Sequence, residues 1–326
     1  MKVVLVTGAT GCVGSNLVVE LLRRGCSVRA FHRQNSDAVT LKDIPVEHVL
    51  GDVRDAEPLR KAMRGCDTVF HTAAIVSFWK RRRAEQFDIN VNGTRNVVDL
   101  CLELGVSKLV HTSSVAALGY KSDGSMIDET TEYNWDPGFG YKYSKHRSEL
   151  EVLNGVRRGL DATIVNPSVI IGPRDVYVHG GQIVRDISRG RIPLYVEGGM
   201  NVVSVHDVVK GHIAAAERGR SGERYILGGA NMTFKEVFDL AARVLQGRSP
   251  FIKVPVWLAK SVGILVEFSS NRTGTRPWIT AELLSTIGSK SWYSIDKARR
   301  ELSYDTTPIE NAMREAYTWY RENGMI

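Results

Sequence analysis

Residues 1–25 read MKVVLVTGATGCVGSNLVVELLRRG. A short apolar run ends at Thr7, glycines follow at Gly8, Gly11 and Gly14, and an apolar pattern with helical spacing comes next. This order predicts a buried strand, a tight turn and a helix. Glycines in the turn would let backbone N–H groups approach a phosphate, which the positive end of the helix attracts. The stretch is compatible with a purely structural turn, but its strand–turn–helix context favours a dinucleotide site.

The bulk composition is that of an ordinary globular protein. The chain has 326 residues, of which 43% are hydrophobic, and its formal net charge is +7. This length allows a nucleotide-binding unit and a smaller lobe. The chain lacks a dense Lys/Arg tract with interleaved aromatics, so binding to nucleic acid is not expected. Its one basic cluster, Lys80-Arg81-Arg82-Arg83, is more typical of a solvated helix start than of an anion site.

Cysteine usage and hydropathy indicate a reducing compartment. No CxxC or metal-ligand spacing relates the four cysteines, so we predict no metal site and expect small core residues at Cys12, Cys26, Cys66 and Cys101. The N-terminal apolar strand is too short for a signal peptide, which predicts a cytoplasmic location. Val254–Phe268 contains Lys260 and Glu267 and is not expected to span a bilayer. We interpret it as a helix over the substrate pocket, with a membrane surface as the alternative.

Up to Pro167, short apolar runs alternate with amphipathic segments, which is typical of a doubly wound parallel Rossmann sheet in an α/β protein. The predicted strands are Lys2–Thr7, Ser27–His32, Glu47–Leu50, Thr68–His71, Lys108–Thr112 and Ala162–Asn166. The predicted helices are Val13–Arg24, Glu57–Arg64, Glu85–Leu104 and Tyr141–Arg158. Right-handed crossovers would place these strands in one sheet.

After Pro167 the alternation changes, and the sequence predicts two interleaved lobes without a linker. Residues 1–170 are expected to form the NAD(P)-binding domain. Residues 201–229, with strands at Asn201–Val209 and Arg224–Leu227, and a C-terminal helix at 308–322 are expected to pack back onto it. The smaller, mostly helical substrate lobe would comprise residues 171–200 and 230–307.

The end of the second predicted strand indicates which dinucleotide binds. An NAD site usually places Asp or Glu there for the ribose 2′-hydroxyl, whereas a 2′-phosphate needs a cation. This chain reads Ala30-Phe31-His32-Arg33-Gln34, with no acid before Asp37. Arg33 could bind the phosphate in a fork, with His32 assisting, so NADP(H) is predicted and NAD(H) is the alternative. Asp52, after the third strand, could accept from the adenine amine or simply cap a turn.

Two further segments suggest acid–base chemistry. Tyr141 and Lys145 stand four residues apart and so share one helix face. An ammonium near a phenol stabilises the phenolate and lowers its pKa from about 10, although this spacing alone is common on helices. The strand ending Thr112-Ser113-Ser114 brings hydroxyls to the carboxyl edge of the sheet, where one could bond a carbonyl oxygen. We favour Ser114 over the other two, which could be turn residues.

Taken together, the motifs TGATGCVG, HTAA, INVNGT, HTSS and YKYSK resemble those of the extended short-chain dehydrogenase/reductase superfamily, in the expected order. The resemblance covers essentially the whole chain. It implies that Tyr141 is the proton donor, Lys145 its partner and Ser114 the substrate-orienting hydroxyl. It also implies a homodimer formed through the helices at Glu85–Leu104 and Tyr141–Arg158.

The glycine turn, the end of the second strand and the resemblance together predict a set of cofactor contacts. They are Gly8, Thr10, Gly11, Cys12, Val13, Gly14, Arg33, Asp52, Val53, Thr72, Ala73, Ala74, Asn90, Thr112, Tyr141, Lys145, Pro167 and Ser168. In related reductases the position of Asn90 is structural and relays protons, but helix capping or packing is nearly as plausible here. The resemblance further implies that the backbone at Pro167 meets the nicotinamide amide and that Asn166 faces the substrate.

Within the superfamily, the segments NPSVIIGPRD and GERYILGG are similar to those of two groups. One comprises carbonyl reductases of the dihydroflavonol 4-reductase and 3β-hydroxysteroid dehydrogenase type, and the other the hopanoid-associated sugar epimerases. Val115-Ala116 replaces the Asp-Glu pair of a 4,6-dehydratase, and Asn201 replaces an arginine that usually holds a sugar diphosphate. Phe78, Trp79, Trp135, Phe139 and Trp257 could line an apolar pocket or pack in the core.

These features predict an NADPH-dependent carbonyl reductase acting on an apolar or cyclic ketone. The alternative is an epimerase that acts on a nucleotide sugar by transient hydride transfer. A more remote alternative is a non-catalytic NADP-binding sensor, but such a protein would not need Ser114, Tyr141 and Lys145 together.

Overall fold

The computed structural model describes residues 1–36, 38–190, 192–277 and 279–326, so Asp37 lies outside the described residues. Strands β1 to β12 are, in chain order, Val3–Thr7, Ser27–His32, Glu47–Leu50, Thr68–His71, Lys108–Thr112, Ala162–Pro167, Val169–Ile171, Leu194–Val196, Gly199–Ser204, Arg224–Leu227, Ala230–Thr233 and Ile252–Val254. Helices α1 to α12 are Cys12–Arg23, Ala56–Met63, Arg83–Phe87, Gly93–Leu104, Gly140–Arg157, Gln182–Ser188, Val205–Arg218, Phe234–Leu245, Val256–Thr273, Ala281–Leu284, Asp296–Leu302 and Ile309–Glu322.

The central sheet contains seven parallel strands in the order β10-β6-β5-β4-β1-β2-β3. This arrangement confirms the predicted α/β class with a doubly wound parallel sheet. The strand order reverses between the neighbours β1 and β4, and ligands of such sheets bind outside the carboxyl ends of the strands at this point. The glycine turn after β1 and the segment after β4 therefore meet at one edge of the sheet.

Burial on both faces explains why the central strands read as continuous apolar runs. One face packs against α1 and α7, with Leu17 and Val208 in a shared core. The opposite face packs against α2, α4 and α5, where Leu59, Val97 and Val152 are fully buried. Helix α5, which carries Tyr141 and Lys145, is thus held flat against the sheet.

The smaller lobe is built on a three-stranded sheet in the order β11-β9-β7. The sequence predicts one strand over Asn201–Val209, but β9 ends at Ser204 and α7 begins there. The Ser204 hydroxyl accepts a hydrogen bond from the N–H of His206, which is the N-cap that starts a helix. Strand β9 belongs to the small sheet, whereas β10 joins the central sheet as predicted.

The C-terminal helix differs from the prediction that residues 308–322 pack onto the large domain. Helix α12 packs instead against α8, α6 and the small sheet. Its buried side chains Ile309, Met313 and Tyr320 share a core with Val237 of α8, and this apolar contact sets its position.

The predicted helix over Glu85–Leu104 is interrupted. Between α3 and α4 lies a π-helical turn at Asp88–Asn92, and Asn90 is buried within it. Single π turns inside helices often occur at functional sites because they re-aim a side chain.

The four cysteines are free thiols. Cys66 and Cys101 are buried as predicted, whereas Cys12 and Cys26 are half-buried.

Replacing Met313 by alanine tests the position of α12. The side chain is fully buried, so the substitution is expected to lower the free energy of unfolding by about 3 kcal/mol through lost burial and a residual cavity. Arg314→Ala, at an exposed neighbouring position, should change it by no more than about 0.5 kcal/mol. Urea unfolding measures both, and equal stability of the two variants would contradict this packing.

Candidate active site

The glycine turn lies against the end of β4. Gly8 has a φ of +67°, and a Cβ there would lie 2.7 Å from the backbone nitrogen of Ala73. A Cβ at Gly14 would collide with the carbonyl oxygen of Gly8. The Thr72 hydroxyl donates to the carbonyl of Thr7 at 2.7 Å. Gly8 and Gly14 are therefore required for the close approach of α1 and β4, independently of any ligand.

The N-terminus of α1 fits an anion. Gly11 is the N-cap residue, it supplies no side-chain cap, and no acidic residue lies in the first turn. In the described residues, a Cβ at Gly11 would approach only the carbonyl oxygen of Gly8, at 3.3 Å. The helix thus offers uncapped N–H groups and its positive end, at Cys12, Val13 and Gly14, to a diphosphate.

Two predicted contacts in this turn also have structural partners. The Thr40 hydroxyl donates to the carbonyl of Thr10 at 3.1 Å, which holds the 3₁₀ turn at Ala38–Leu41 beside the glycine turn. The Cys12 Sγ lies 3.8 Å from the carbonyl of Pro173, and burial raises the pKa of its thiol. Cys12 is accordingly a packing residue and not a reactive thiolate.

Arg33 and Asp52 lie close together at the ends of β2 and β3. Arg33 is exposed, while Asp52 forms a two-pronged ion pair with Arg54, at 3.0 and 2.9 Å. That pair lowers the pKa of the Asp52 carboxyl, and Arg33 contributes weakly in the same direction. The ring of His32 forms a hydrogen bond with the ring of His48 at 3.0 Å. His32 therefore already has a partner, whereas the sequence predicts that it assists Arg33 in binding a phosphate. Next to Asp52, Val53 is buried against Gly93.

His71 carries a chain of hydrogen bonds beneath the glycine turn. Its Nδ1 lies 2.8 Å from the Thr7 hydroxyl and its Nε2 lies 3.0 Å from the Thr94 hydroxyl. Thr94 in turn donates to the carbonyl of Asn90 at 2.6 Å. We therefore infer that Nε2 carries the proton and that Nδ1 accepts from Thr7. Burial lowers the pKa of His71 to about 3, which keeps the ring neutral and the chain intact.

Tyr141 and Ser114 come together at the carboxyl edge of β5. Ser114 follows β5, and its Oγ accepts from the N–H of Ala116 at 3.2 Å. Burial raises the pKa of the Tyr141 phenol, and the nearby side chain of Ser114 opposes this rise. Ser113 is buried without reaching the phenol. Of the hydroxyls that end β5, the structure brings Ser114 to Tyr141.

Lys145 is buried below Tyr141. Its side chain is 3% exposed, and Nζ donates to the carbonyl of Thr112 at 2.7 Å. Burial lowers its pKa to about 8, while the Glu149 carboxylate acts in the opposite direction. The sequence predicts that Lys145 depresses the pKa of Tyr141, but in this structure the ammonium is directed at Thr112 and the pKa of Tyr141 is raised. The Thr112 hydroxyl is held by His212 at 2.8 Å.

Below Lys145, Glu149 lies at the centre of a buried polar network. Its carboxylate is 2.7 Å from the guanidinium Nε of Arg224 and accepts from the amide of Asn166 at 2.6 Å. The same amide donates to the carbonyl of Ser114 at 3.0 Å. Asn166 is fully buried, and it supports Ser114 from below.

The remaining predicted residues differ in their surroundings. Asn90 is structural here, because its side chain bonds both backbone groups of Ile75 at 2.8 and 3.0 Å and the hydroxyl of Ser144 at 3.0 Å. Ser168, next to Pro167 at the end of β6, donates to the buried side chain of Asn201 at 2.6 Å. Ala74 is exposed beyond β4.

A cavity of about 210 Å³ lies at the start of α5, where Gly140, the neighbour of Tyr141, lines it. Its lining residues include Phe78, Trp79, Phe139, Glu267 and Glu282. The ring of Phe78 meets that of Tyr141 edge-on, with centroids 5.5 Å apart. Three of the five aromatic residues predicted for the pocket thus line this cavity.

The other two predicted pocket aromatics lie elsewhere. Trp135 packs beneath the ammonium of Lys142, whose Nζ is 3.2 Å from the ring centroid. Trp257 is exposed on α9.

Glu282 contributes to this site from far along the chain. It is 6% exposed, and its carboxylate accepts from the N–H groups of Lys142 at 2.9 Å and Tyr141 at 3.4 Å. It therefore caps the N-terminus of α5 and raises the pKa of Tyr141. Nothing in the sequence indicates this contact across the chain, whereas Glu149 could have been found from its spacing of four residues after Lys145.

Comparison with known proteins places this geometry in a family. The model of the NAD dependent epimerase/dehydratase family matches residues 4–228. The chain belongs to this family. It is an NAD(P)-dependent oxidoreductase of the extended short-chain dehydrogenase/reductase type, as the sequence motifs predict.

Three similar proteins cover nearly the whole chain. A protein of Synechocystis sp., provisionally named dihydroflavonol 4-reductase, is 35% identical over 98% of this chain and 95% of its own. Sterol demethylase protein B of Methylococcus capsulatus is 36% identical over 99% of both. The crystal structure of gox2253 superposes with a TM-score of 0.87 at 38% identity and covers 100% of both chains.

His71→Gln tests the neutral state of the buried imidazole. Because its pKa falls from 6.5 to about 3 on folding, His71 contributes stability that is present above pH 6.5 and is lost as the pH falls towards 3. The difference in free energy of unfolding between wild type and variant should therefore shrink by about 2 kcal/mol from pH 7 to pH 5. Urea unfolding at several pH values measures this. A difference independent of pH would contradict the assignment.

Proposed function

We propose that the protein is an NADPH-dependent carbonyl reductase acting on apolar, cyclic ketones. The observation that carries the proposal is the placement of Ser114, at the end of β5, near the Tyr141 phenol, whose ring meets that of Phe78 in the wall of a cavity. Two hydroxyls that converge on one point can both bond a single carbonyl oxygen.

Each residue has a stated role in the reduction. When bound, the nicotinamide supplies a hydride to the carbonyl carbon. Ser114 donates a hydrogen bond to the carbonyl oxygen, and Tyr141 gives it a proton. The phenol is protonated at neutral pH, as a proton donor must be. Lys145, whose Nζ donates to the carbonyl of Thr112, would position the ribose.

The substrate class follows from the cavity and the relatives. Phe78, Trp79 and Phe139 present apolar surface in a cavity that charged side chains also line, and this surface supports a ring system as the substrate. The names of the two relatives refer to a dihydroflavonol and a sterol, and both are polycyclic. The epimerase alternative is weakened because Asn201, at the usual diphosphate position, is buried and bonded to Ser168 and Gly229.

Arg33 supports NADPH over NADH. Its guanidinium is exposed at the end of β2, where the ribose of a dinucleotide lies in such folds. The Asp52 carboxylate nearby is already paired with Arg54, so Arg33 is available to a 2′-phosphate.

Replacing Tyr141 by phenylalanine tests the acid. With NADPH and a panel of cyclic ketones, the variant should bind cofactor normally but reduce kcat by about a hundredfold or more. Tyr143→Phe is the matched control, because Tyr143 lies on the same helix and contacts Arg147 instead of Ser114. Full activity of the Tyr141 variant would remove the proposed acid. Conversion of a nucleotide sugar without net NADPH oxidation would identify an epimerase.

Arg33→Asp tests cofactor choice. Loss of a forked guanidinium–phosphate contact should raise the Kd for NADPH by about 10- to 100-fold and leave that for NADH unchanged or lower. Arg64→Asp makes the same charge change at the opposite edge of the sheet and should alter neither constant. Titration of cofactor fluorescence measures both, and an unchanged preference for NADPH would mean that other residues bind the 2′-phosphate.

A further inference from the structure

Helix α9 exposes an unusual apolar face. Of the 17 large hydrophobic side chains that are exposed in the described residues, eight lie between positions 251 and 268. The most exposed on the helix are Trp257 at 69%, Leu265 at 67% and Ile264 at 60%. Soluble proteins rarely leave such a contiguous patch uncovered without a binding role.

The opposite face of α9 packs against α10. A Cβ at Gly263 would collide with Leu284 of α10, and the Glu267 carboxylate accepts from the N–H of Ala281 at 2.6 Å. Glu267 and Ala281 also line the cavity at the start of α5. Helix α9 is therefore fixed on its inner side, and its outward side chains are free to meet a partner.

The charges around this face are almost all positive. Residues 251–277, all of which the structure describes, include Lys253, Lys260, Arg272 and Arg276, all exposed. Glu267 is the one carboxylate in this stretch, and it is 6% exposed. Lys253 pairs with the exposed Glu197 from outside the stretch, which leaves Lys260, Arg272 and Arg276 as the cations of this face.

The basic cluster predicted from the sequence lies beside the same helix. Lys80–Arg82 forms a 3₁₀ turn and Arg83 begins α3, which confirms the predicted solvated helix start. Arg81 is exposed and reaches α9, where its guanidinium donates to the carbonyl of Asn271 at 2.7 Å. Lys80 Nζ lies 3.4 Å from Glu267.

We propose that α9 docks the protein on the surface of an anionic lipid bilayer. Trp257, Ile264 and Leu265 would lie at the headgroup level, with the surrounding cations among the lipid phosphates. None of the helices among the described residues is long and apolar enough to cross a bilayer, so the contact is peripheral.

A second copy of the chain fits this face less well. A two-fold contact through α9 would bring Lys260, Arg272 and Arg276 together on both sides, and the stretch 251–277 has no exposed carboxylate to offset them. An anionic surface offsets all of them. If the substrate is an apolar ketone, as proposed above, it would dissolve in the bilayer. Docking would then leave only α9 between the bilayer and the cavity.

Co-sedimentation of the full chain with lipid vesicles tests the proposal. Wild type should bind vesicles that contain about a quarter phosphatidylglycerol, bind weakly to pure phosphatidylcholine, and be released by salt. Leu265→Glu should reduce the bound fraction at least tenfold, and Lys260→Glu several-fold. Met126→Glu and Lys61→Glu, which make the same changes at exposed positions elsewhere, should bind as wild type does.

Tryptophan fluorescence locates the contact. Anionic vesicles should shift the wild-type emission to the blue, and Trp257→Phe should lose this shift while still sedimenting. Unchanged thermal unfolding and NADPH binding of Leu265→Glu would exclude misfolding as the cause of lost binding. Failure of wild type to bind anionic vesicles would overturn the proposal. So would equal binding by Leu265→Glu, or a dimer that this variant dissociates in the absence of lipid, which would make α9 a protein interface.

Discussion

A buried ammonium needs an acceptor and a countercharge, and this requirement on Lys145 fixes the geometry of the site. The acceptor is the carbonyl of Thr112 at the end of β5, and the countercharge is Glu149 on the next turn of α5. Both positions are set by the backbone, so they determine the rotation and height of α5 against the sheet. Tyr141, one turn before Lys145, consequently lies where Ser114 leaves β5.

The same requirement extends across the sheet. Glu149 is itself fully buried, and it is satisfied by Arg224 on β10 and Asn166 on β6. Removal of one member would leave an uncompensated charge or an unpaired amide, which costs more than the pair contributes. The last two strands of the sheet therefore help to hold the phenol, although neither touches a reacting atom.

The sequence predicts the central sheet well because its parallel strands are buried on both faces. Ser27–His32 and Thr68–His71 are found with the predicted bounds. The boundary between β9 and α7 was predictable only from the cap, since NVVSVHDVV is apolar on both sides of Ser204. The bonds of Asn166 to Ser114 and Glu149 were not predictable, because a motif identifies a position and not the direction of its side chain. No pattern in the sequence around Glu282 indicates that it caps α5.

The apolar sequence pattern of α9 does not determine what the helix contacts. A helix with apolar residues around its circumference is compatible with a buried core, a pocket lid or a membrane surface. Packing decides the inner face, where α10 seals against Gly263 and Glu267. Through α10, the same unit brings Glu282 to the N–H groups that begin α5. A displacement of α9 and α10 would therefore move the carboxylate of Glu282, which caps the helix that carries Tyr141. The short helix α10 thus links the outward apolar face of α9 to the N-terminus of α5.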